Sequence, residues 1–149
     1  MDVFNILQNE VLLIAALSWF IAQLIKVIRE FIKTKKINKA LFTSSGGFPS
    51  SHSSAVCALA TGIGILDGFQ SNTFAIAFIL SAVVMYDAAG VRRAAGQQAS
   101  VLNDMTDFFE KHGFKMDKKL KELLGHSPFE VVSGAVLGVF VAVVGTMFL

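Results

Sequence analysis

The chain has 149 residues, of which 54% are hydrophobic and only 16% are charged, and its formal net charge is +2. Soluble domains carry about a quarter charged residues, so this composition predicts an integral membrane protein with a single domain over residues 1–149. The small net charge, without interleaved aromatic and basic residues, excludes a nucleic-acid partner. The single cysteine, Cys57, excludes a disulfide framework.

Four apolar segments are long enough to cross the hydrocarbon core of a bilayer, which takes about 20 residues at 1.5 Å each. We predict them at residues 11–28, 53–69, 73–90 and 128–149. The second and third are separated by only three residues, so they form an antiparallel hairpin. The predicted fold class is an all-α integral membrane protein with four transmembrane helices. A homodimer is left open, because four spans make a thin bundle.

The basic residues predict the orientation of these spans. Of the 13 Lys and Arg residues, six lie between Lys26 and Lys39 and seven between Arg92 and Lys121. Basic segments next to membrane spans face the cytoplasm. We therefore predict cytoplasmic segments at about residues 29–52 and 91–127, with both termini outside.

Small residues and amphipathic patterns add detail to this topology. Gly134 and Gly138 form a GxxxG pair in the last span, a pattern that lets helix backbones approach closely.

The segment QQASVLNDMTDFFEKHGFK has apolar residues at helical spacing with charges opposite, which predicts an amphipathic helix on the membrane surface. A second short helix is predicted to begin at Asp117 and to end at Gly125.

The stretch SSGGFPSSHSSAV is unusually polar for this chain and directly precedes the second span. Gly47 permits a tight turn, and Ser50 or Ser51 suits the start of a helix. The free N–H groups of a helix N-terminus bind phosphate, and His52 lies in the first turn. The alternative is a capped span with an interfacial histidine.

A second histidine occurs in LLGHSPFEVVSG, where the fourth span begins. Ser127 and Glu130 fit a capping box with Pro128 at the first helical position. Glu130 could also hold one ring nitrogen of His126 and leave the other free as a nucleophile. The structural and the catalytic interpretations are compatible.

Further polar residues are predicted at the same membrane depth. Asp87 lies about one turn inside the third span, where an ionisable group is a functional candidate. Arg92 and Arg93 follow in YDAAGVRRAAGQQ and either clamp phosphate oxygens or anchor lipid head groups. On the first span, Gln23 and Lys26 share a face, and Lys26 either serves the site or snorkels to the interface.

Together these side chains could perform phosphoryl transfer without a metal or other cofactor. One histidine would attack phosphorus, cationic groups would hold the equatorial oxygens, and the other histidine would protonate the leaving alkoxide.

The motifs GGFPSSHSS, YDAAGVRRAAGQQA and LKELLGHSPFEVVSG, in this order, resemble the divergent branch of the type 2 phosphatidic acid phosphatase superfamily, which is related to vanadium-dependent haloperoxidases. The resemblance extends from the first span to the fourth. It implies that His52 is the general acid, that the loop backbone binds phosphate, and that His126, followed four residues later by Glu130, is the nucleophile.

The chain departs from the superfamily's pattern at several points. Leu120 stands where the third motif has an arginine, so Lys121, Arg92 or Arg93 would have to supply that charge. The first motif, a lysine followed by Arg-Pro, is not reproduced after Lys26, and the superfamily usually has six spans. The expected function is a cytoplasm-facing phosphatase for a lipid phosphate or isoprenoid diphosphate. The alternative is a non-catalytic binder or carrier of anionic lipid head groups.

Overall fold

The computed structural model describes residues 3–35, 47–113 and 125–148, and all regular secondary structure in these ranges is helical. A short 3₁₀ helix, Val3–Gln8, precedes five α-helices. The α-helices are α1 (Glu10–Thr34), α2 (Ser51–Leu66), α3 (Asn72–Ala89), α4 (Val91–Lys111) and α5 (Pro128–Phe148). The short helix predicted to begin at Asp117 lies outside the described residues.

Three helical stretches among the described residues are long and apolar enough to cross a membrane, namely Glu10–Thr34, Asn72–Lys111 and Pro128–Phe148. The fourth apolar helix, α2, has 16 residues and is therefore about 24 Å long at 1.5 Å per residue, against a hydrocarbon core of about 30 Å. The all-helical membrane fold is confirmed. The helix at the predicted second span (residues 53–69) runs from Ser51 to Leu66 with Asp67 as its C-cap, and it is not among the three helical stretches long enough to cross the membrane.

The first helix is longer than its apolar segment. The predicted span ended at Ile28, whereas α1 continues through Arg29 and Glu30 to Thr34. Helical hydrogen bonds need no apolar side chains, so a helix can continue beyond the membrane core. It ends where Lys35 adopts a left-handed conformation (φ 56°) and donates its N–H to the carbonyl of Phe31. This extension carries basic side chains past the span on one continuous helix.

The central element of the bundle is α2, which packs against α1, α3 and α5. Its contact with α5 depends on the predicted GxxxG pair. A Cβ atom on Gly134 would overlap the carbonyl oxygen of Ser50, and one on Gly138 would overlap that of Ser54. The close approach predicted for these glycines is therefore confirmed, and it fixes the start of α5 against the start of α2.

The contact between α1 and α2 includes a buried polar pair, Ser18 and Ser54. The hydroxyls of Ser18 and Ser54 lie 2.6 Å apart, and both side chains are buried. The hydroxyl of Ser18 also lies 3.2 Å from the carbonyl oxygen of Ser54, to which it can donate. Such interhelical hydrogen bonds hold helices in register in lipid.

Candidate active site

Three polar segments, at the start of α2, the start of α5 and the end of α3, meet at one end of the bundle through backbone hydrogen bonds. The N–H of Ser50, before α2, donates to the carbonyl of Glu130 in α5 at 3.0 Å. The N–H of His126 donates to the carbonyl of Ala88, next to Asp87 in the last turn of α3, at 3.1 Å. The starts of α2 and α5 and the end of α3 are thereby fixed relative to one another.

The N-terminus of α2 is built as predicted from its serine-rich sequence. Ser50 is the N-cap, and its hydroxyl accepts hydrogen bonds from the N–H of Ser53 at 3.3 Å and from the Ser53 hydroxyl at 2.9 Å. Gly47 adopts a positive φ of +91°, which glycine tolerates without strain. His52 lies half-buried in the first helical turn. The geometry presents a helix N-terminus, the positive end of the helix dipole, to the site.

Lys26 turns into the bundle instead of extending to the interface. Its side chain is only 4% exposed, and its Nζ donates to the hydroxyl of Ser51 at 3.2 Å. Its Cδ lies 3.8 Å from the position that a Cβ would take on Gly47. Gln23 is also buried and lies one turn earlier on the same helix. A lysine of α1 therefore contacts the N-terminus of α2, as the catalytic interpretation requires.

The start of α5 combines a capping box with a histidine–carboxylate pair. Glu130 Oε2 accepts a hydrogen bond from the N–H of Ser127 at 2.9 Å, and the N–H of Glu130 donates to the Ser127 hydroxyl at 3.3 Å. The same Oε2 lies 3.4 Å from Nδ1 of His126. The distance is longer than an ideal hydrogen bond but within ion-pair range. Glu130 therefore completes the capping box and lies beside Nδ1 of His126 with the same carboxylate oxygen.

The surroundings of His126 lower the pKa of its imidazole and so favour the neutral form. Its side chain is 2% exposed, and this burial is the main cause that lowers the pKa of its imidazole. The charge of Lys26 lowers that pKa further, Glu130 opposes the shift, and His52 adds a smaller lowering effect. The two histidines are therefore close enough to interact electrostatically. Within the described residues, neither ring nitrogen has a partner of hydrogen-bond geometry.

For the remaining predicted site residues, the structure gives the position in the fold but only part of the side-chain geometry. Asp87 lies half-buried in the last turn of α3, and Arg92 and Arg93 follow Val91 in the first turn of α4. The side-chain positions of the two arginines are not described, and Lys121 lies outside the described residues. Within the described part of the chain, no group of three His, Cys, Asp or Glu residues could hold a metal ion.

A polar cavity of about 250 Å³ beside these residues was missed by the sequence analysis. It lies between the last turns of α1 and the segment that precedes α2. Its lining residues are Lys26, Arg29, Glu30, Lys33, Gly47, Phe48 and Glu130. The signal was present in the sequence, since Lys26, Arg29 and Lys33 have i, i+3, i+7 spacing. This spacing places the three basic residues on one side of a helix only if α1 continues beyond Ile28.

These features define a helical membrane protein with a histidine- and lysine-containing site at one end of its bundle, and comparison with known proteins identifies the class. The chain belongs to the Divergent PAP2 family, which matches residues 7–141. It is 42% identical to a protein named "Uncharacterized membrane protein YuiD" from Bacillus subtilis (strain 168), in an alignment that covers 97% of this chain and 98% of that protein. No solved structure matches the chain. The resemblance drawn from the three motifs is confirmed.

Proposed function

We propose that this protein is a membrane phosphatase that hydrolyses a lipid phosphate or an isoprenoid diphosphate through a phosphohistidine intermediate. The observation that carries the proposal is the placement of His126 beside Glu130, with Lys26 and the N-terminus of α2 at the same end of the bundle. A paired neutral histidine next to a lysine and a helix N-terminus suits phosphoryl transfer. Membership in the Divergent PAP2 family supports the same chemistry.

In the proposed mechanism, Nε2 of His126 attacks phosphorus while Glu130 faces Nδ1. A P–N bond forms, and the P–O bond to the leaving group breaks. His52 donates its proton to the departing oxygen, and Lys26 with the first N–H groups of α2 holds the equatorial oxygens. Water then attacks the phosphohistidine, releases inorganic phosphate and restores the imidazole.

Glu130 stabilises the positive charge that develops on the imidazole during attack. In the free enzyme, burial and the charge of Lys26 lower the pKa of His126 and so favour its neutral form. A neutral imidazole is the nucleophilic form. The carboxylate therefore contributes more in the transition state than in the ground state, which is the condition for catalysis.

Substrate access to His126 requires a local opening of the site. Both ring nitrogens are fully buried in this conformation, so Nε2 cannot reach a phosphorus atom until neighbouring groups move. Gating motions of this kind commonly accompany closed active sites. We propose that the phosphate group binds first near Lys26 and that binding accompanies the opening.

A second candidate function is binding or carriage of anionic lipid head groups without catalysis. The specific observation in its favour is that the polar cavity is lined by Lys26, Arg29 and Lys33 but by neither His52 nor His126. Cations alone are sufficient to bind a head group, whereas catalysis needs both histidines. Replacing the histidines therefore distinguishes the two functions.

We further propose that four helices cross the cytoplasmic membrane, with both termini outside and the site on the cytoplasmic face. The distribution of the basic residues supports this orientation. A bilayer that thins locally around α2 would accommodate its shorter length. In this arrangement the site would meet the head groups of the inner leaflet.

The function is tested by measuring phosphate release from a panel of lipid phosphates and isoprenoid diphosphates with the purified full-length protein. We expect activity in the native protein and loss of at least a hundredfold in His126→Ala and His52→Ala. His112→Ala is the matched control, because His112 is the exposed C-cap residue of α4. Head-group binding without turnover by the native protein, and unchanged binding in both histidine variants, would instead establish the second function.

A further inference from the structure

The polar cavity beside the candidate active site has cations that the proposed mechanism does not use. Arg29 and Lys33 line it from successive turns of α1. They lie on the same side of that helix as Lys26. Both side chains are exposed at the cavity. Three basic residues thus line one small space at the end of the bundle, and only Lys26 has a role in the proposed transfer step.

Neither carboxylate of the cavity, Glu30 or Glu130, is ion-paired with Arg29 or Lys33. Glu130 is occupied by the N–H of Ser127 and by His126. Within residues 3–35, 47–113 and 125–148, neither Arg29 nor Lys33 lies within ion-pair distance of a carboxylate, including that of Glu30. Cations grouped in a cavity without such partners are suited to an anionic ligand.

Arg29 is held at the cavity by an aromatic stack. Its guanidinium lies 4.9 Å from the ring centroid of Phe48. That ring in turn stacks on Phe129, with centroids 5.5 Å apart and an interplanar angle of 15°. A cation–π contact orients the guanidinium while its N–H groups remain available. The arginine is therefore positioned before any ligand arrives.

Lys26 connects this cavity to the residues of the transfer step. Its chain lines the cavity, whereas its Nζ bonds to Ser51 at the N-terminus of α2. Glu130 makes the same connection from the other side, since it lines the cavity and pairs with His126. Two anionic groups separated by one bridging oxygen could therefore occupy the cavity and the catalytic residues together.

We propose that Arg29 and Lys33 form an outer phosphate subsite and that the substrate is a diphosphate ester in preference to a monophosphate ester. This inference rests on the proposed function, because the inner position is the phosphoryl group that His126 attacks. The P–N bond forms at the terminal phosphorus, and the bridging P–O bond breaks. The leaving group is the monophosphate ester, whose new charge Arg29 and Lys33 stabilise. Water then releases inorganic phosphate from His126.

The binding test uses the full chain with His126→Ala, in a neutral detergent, so that no turnover occurs. Isothermal titration compares pyrophosphate with orthophosphate. We expect pyrophosphate to bind more tightly, and Arg29→Gln or Lys33→Gln to weaken it roughly three- to tenfold, a modest effect because both side chains are exposed. Orthophosphate affinity should change less than twofold. Lys35→Gln is the matched control, since Lys35 lies near Lys33 but does not line the cavity.

Equal weakening of both anions, an equal effect of Lys35→Gln, or tighter binding of orthophosphate would overturn the subsite. If His126→Ala does not fold, His126→Gln replaces it in the same titration. In the active protein, Lys33→Gln should lower kcat/KM for a lipid diphosphate several-fold more than for the matching monophosphate. If no turnover is found but pyrophosphate binding depends on Lys33 and not on Lys35, the proposed function fails and the subsite stands as part of a diphosphate-binding protein.

Discussion

The replacement of Glu130 by glutamine separates the two roles that the structure gives this residue. Glutamine also completes a capping box, so the hydrogen bond that Ser127 donates, now 2.9 Å long, has an acceptor in the variant. The negative charge facing His126 is lost. We therefore expect the variant to be folded and the catalytic step to be slower.

The size of this effect follows from the distance between the two side chains. A full charge on His126 at 3.4 Å from Glu130 Oε2 corresponds to about 5 kcal/mol at an effective dielectric constant of about 20. If roughly half of that charge has developed in the transition state, the loss is about 2.5 kcal/mol. This free energy corresponds to a rate reduction on the order of 50- to 100-fold.

The assay compares kcat for phosphate release with the melting temperature of the purified protein. Glu130→Gln should lower kcat by that factor and change the melting temperature by only a few degrees. Glu130→Ala, which removes the capping acceptor as well, should lower both, because loss of a cap costs about 1 kcal/mol. Equal activity of Glu130→Gln and the native protein, at equal stability, would refute the proposed role of the carboxylate.

Three further predictions concern pH, packing and orientation. The pKa of His126 is lowered in the folded protein, so the unfolded chain binds a proton at a higher pH than the folded chain does. The contribution of His126 to the stability of the fold should therefore be complete above about pH 6.5 and fall as the pH drops below it. A thermal-shift series in which His126→Ala shows the same fall would contradict this. Gly138→Val should destabilise the bundle by at least about 2 kcal/mol, since any Cβ overlaps a backbone carbonyl of α2, and a variant with native stability in denaturant titrations would rule out the close packing. Cysteine labels at Lys33 and at Lys111 should react only from the cytoplasmic side and a label at Ser71 only from outside; labels at Lys33 and Lys111 on opposite sides would exclude the shared site.

The elements of the site that follow local rules could be predicted from the sequence. The N-cap at Ser50, the positive φ at Gly47 and the capping box of Ser127 and Glu130 depend on residues within a few positions of one another. The GxxxG contact was also predictable, because only small residues permit it. These features determine where α2 and α5 begin, and hence where both histidines lie relative to the starts of these helices.

The features that the sequence did not reveal depend on contacts between distant segments. Lys26 could snorkel or turn inward, and only its bond to Ser51, 25 positions away, decides between them. The cavity with Arg29 and Lys33 was missed because charged residues were taken as the end of the first span. The burial of His126 likewise follows from the packing of α3 and α5, which periodicity does not specify.

The phosphohistidine intermediate is tested most directly by trapping it. The full-length protein is incubated briefly with an isoprenoid diphosphate labelled in its terminal phosphate, and protein-bound label is measured after alkaline and after acid treatment. The proposed mechanism predicts label that survives alkali, is lost in acid, is absent from His126→Ala and is retained in His112→Ala. Native levels of the same label in His126→Ala would contradict the mechanism, as would phosphate release that proceeds without any bound label and is abolished by a chelator.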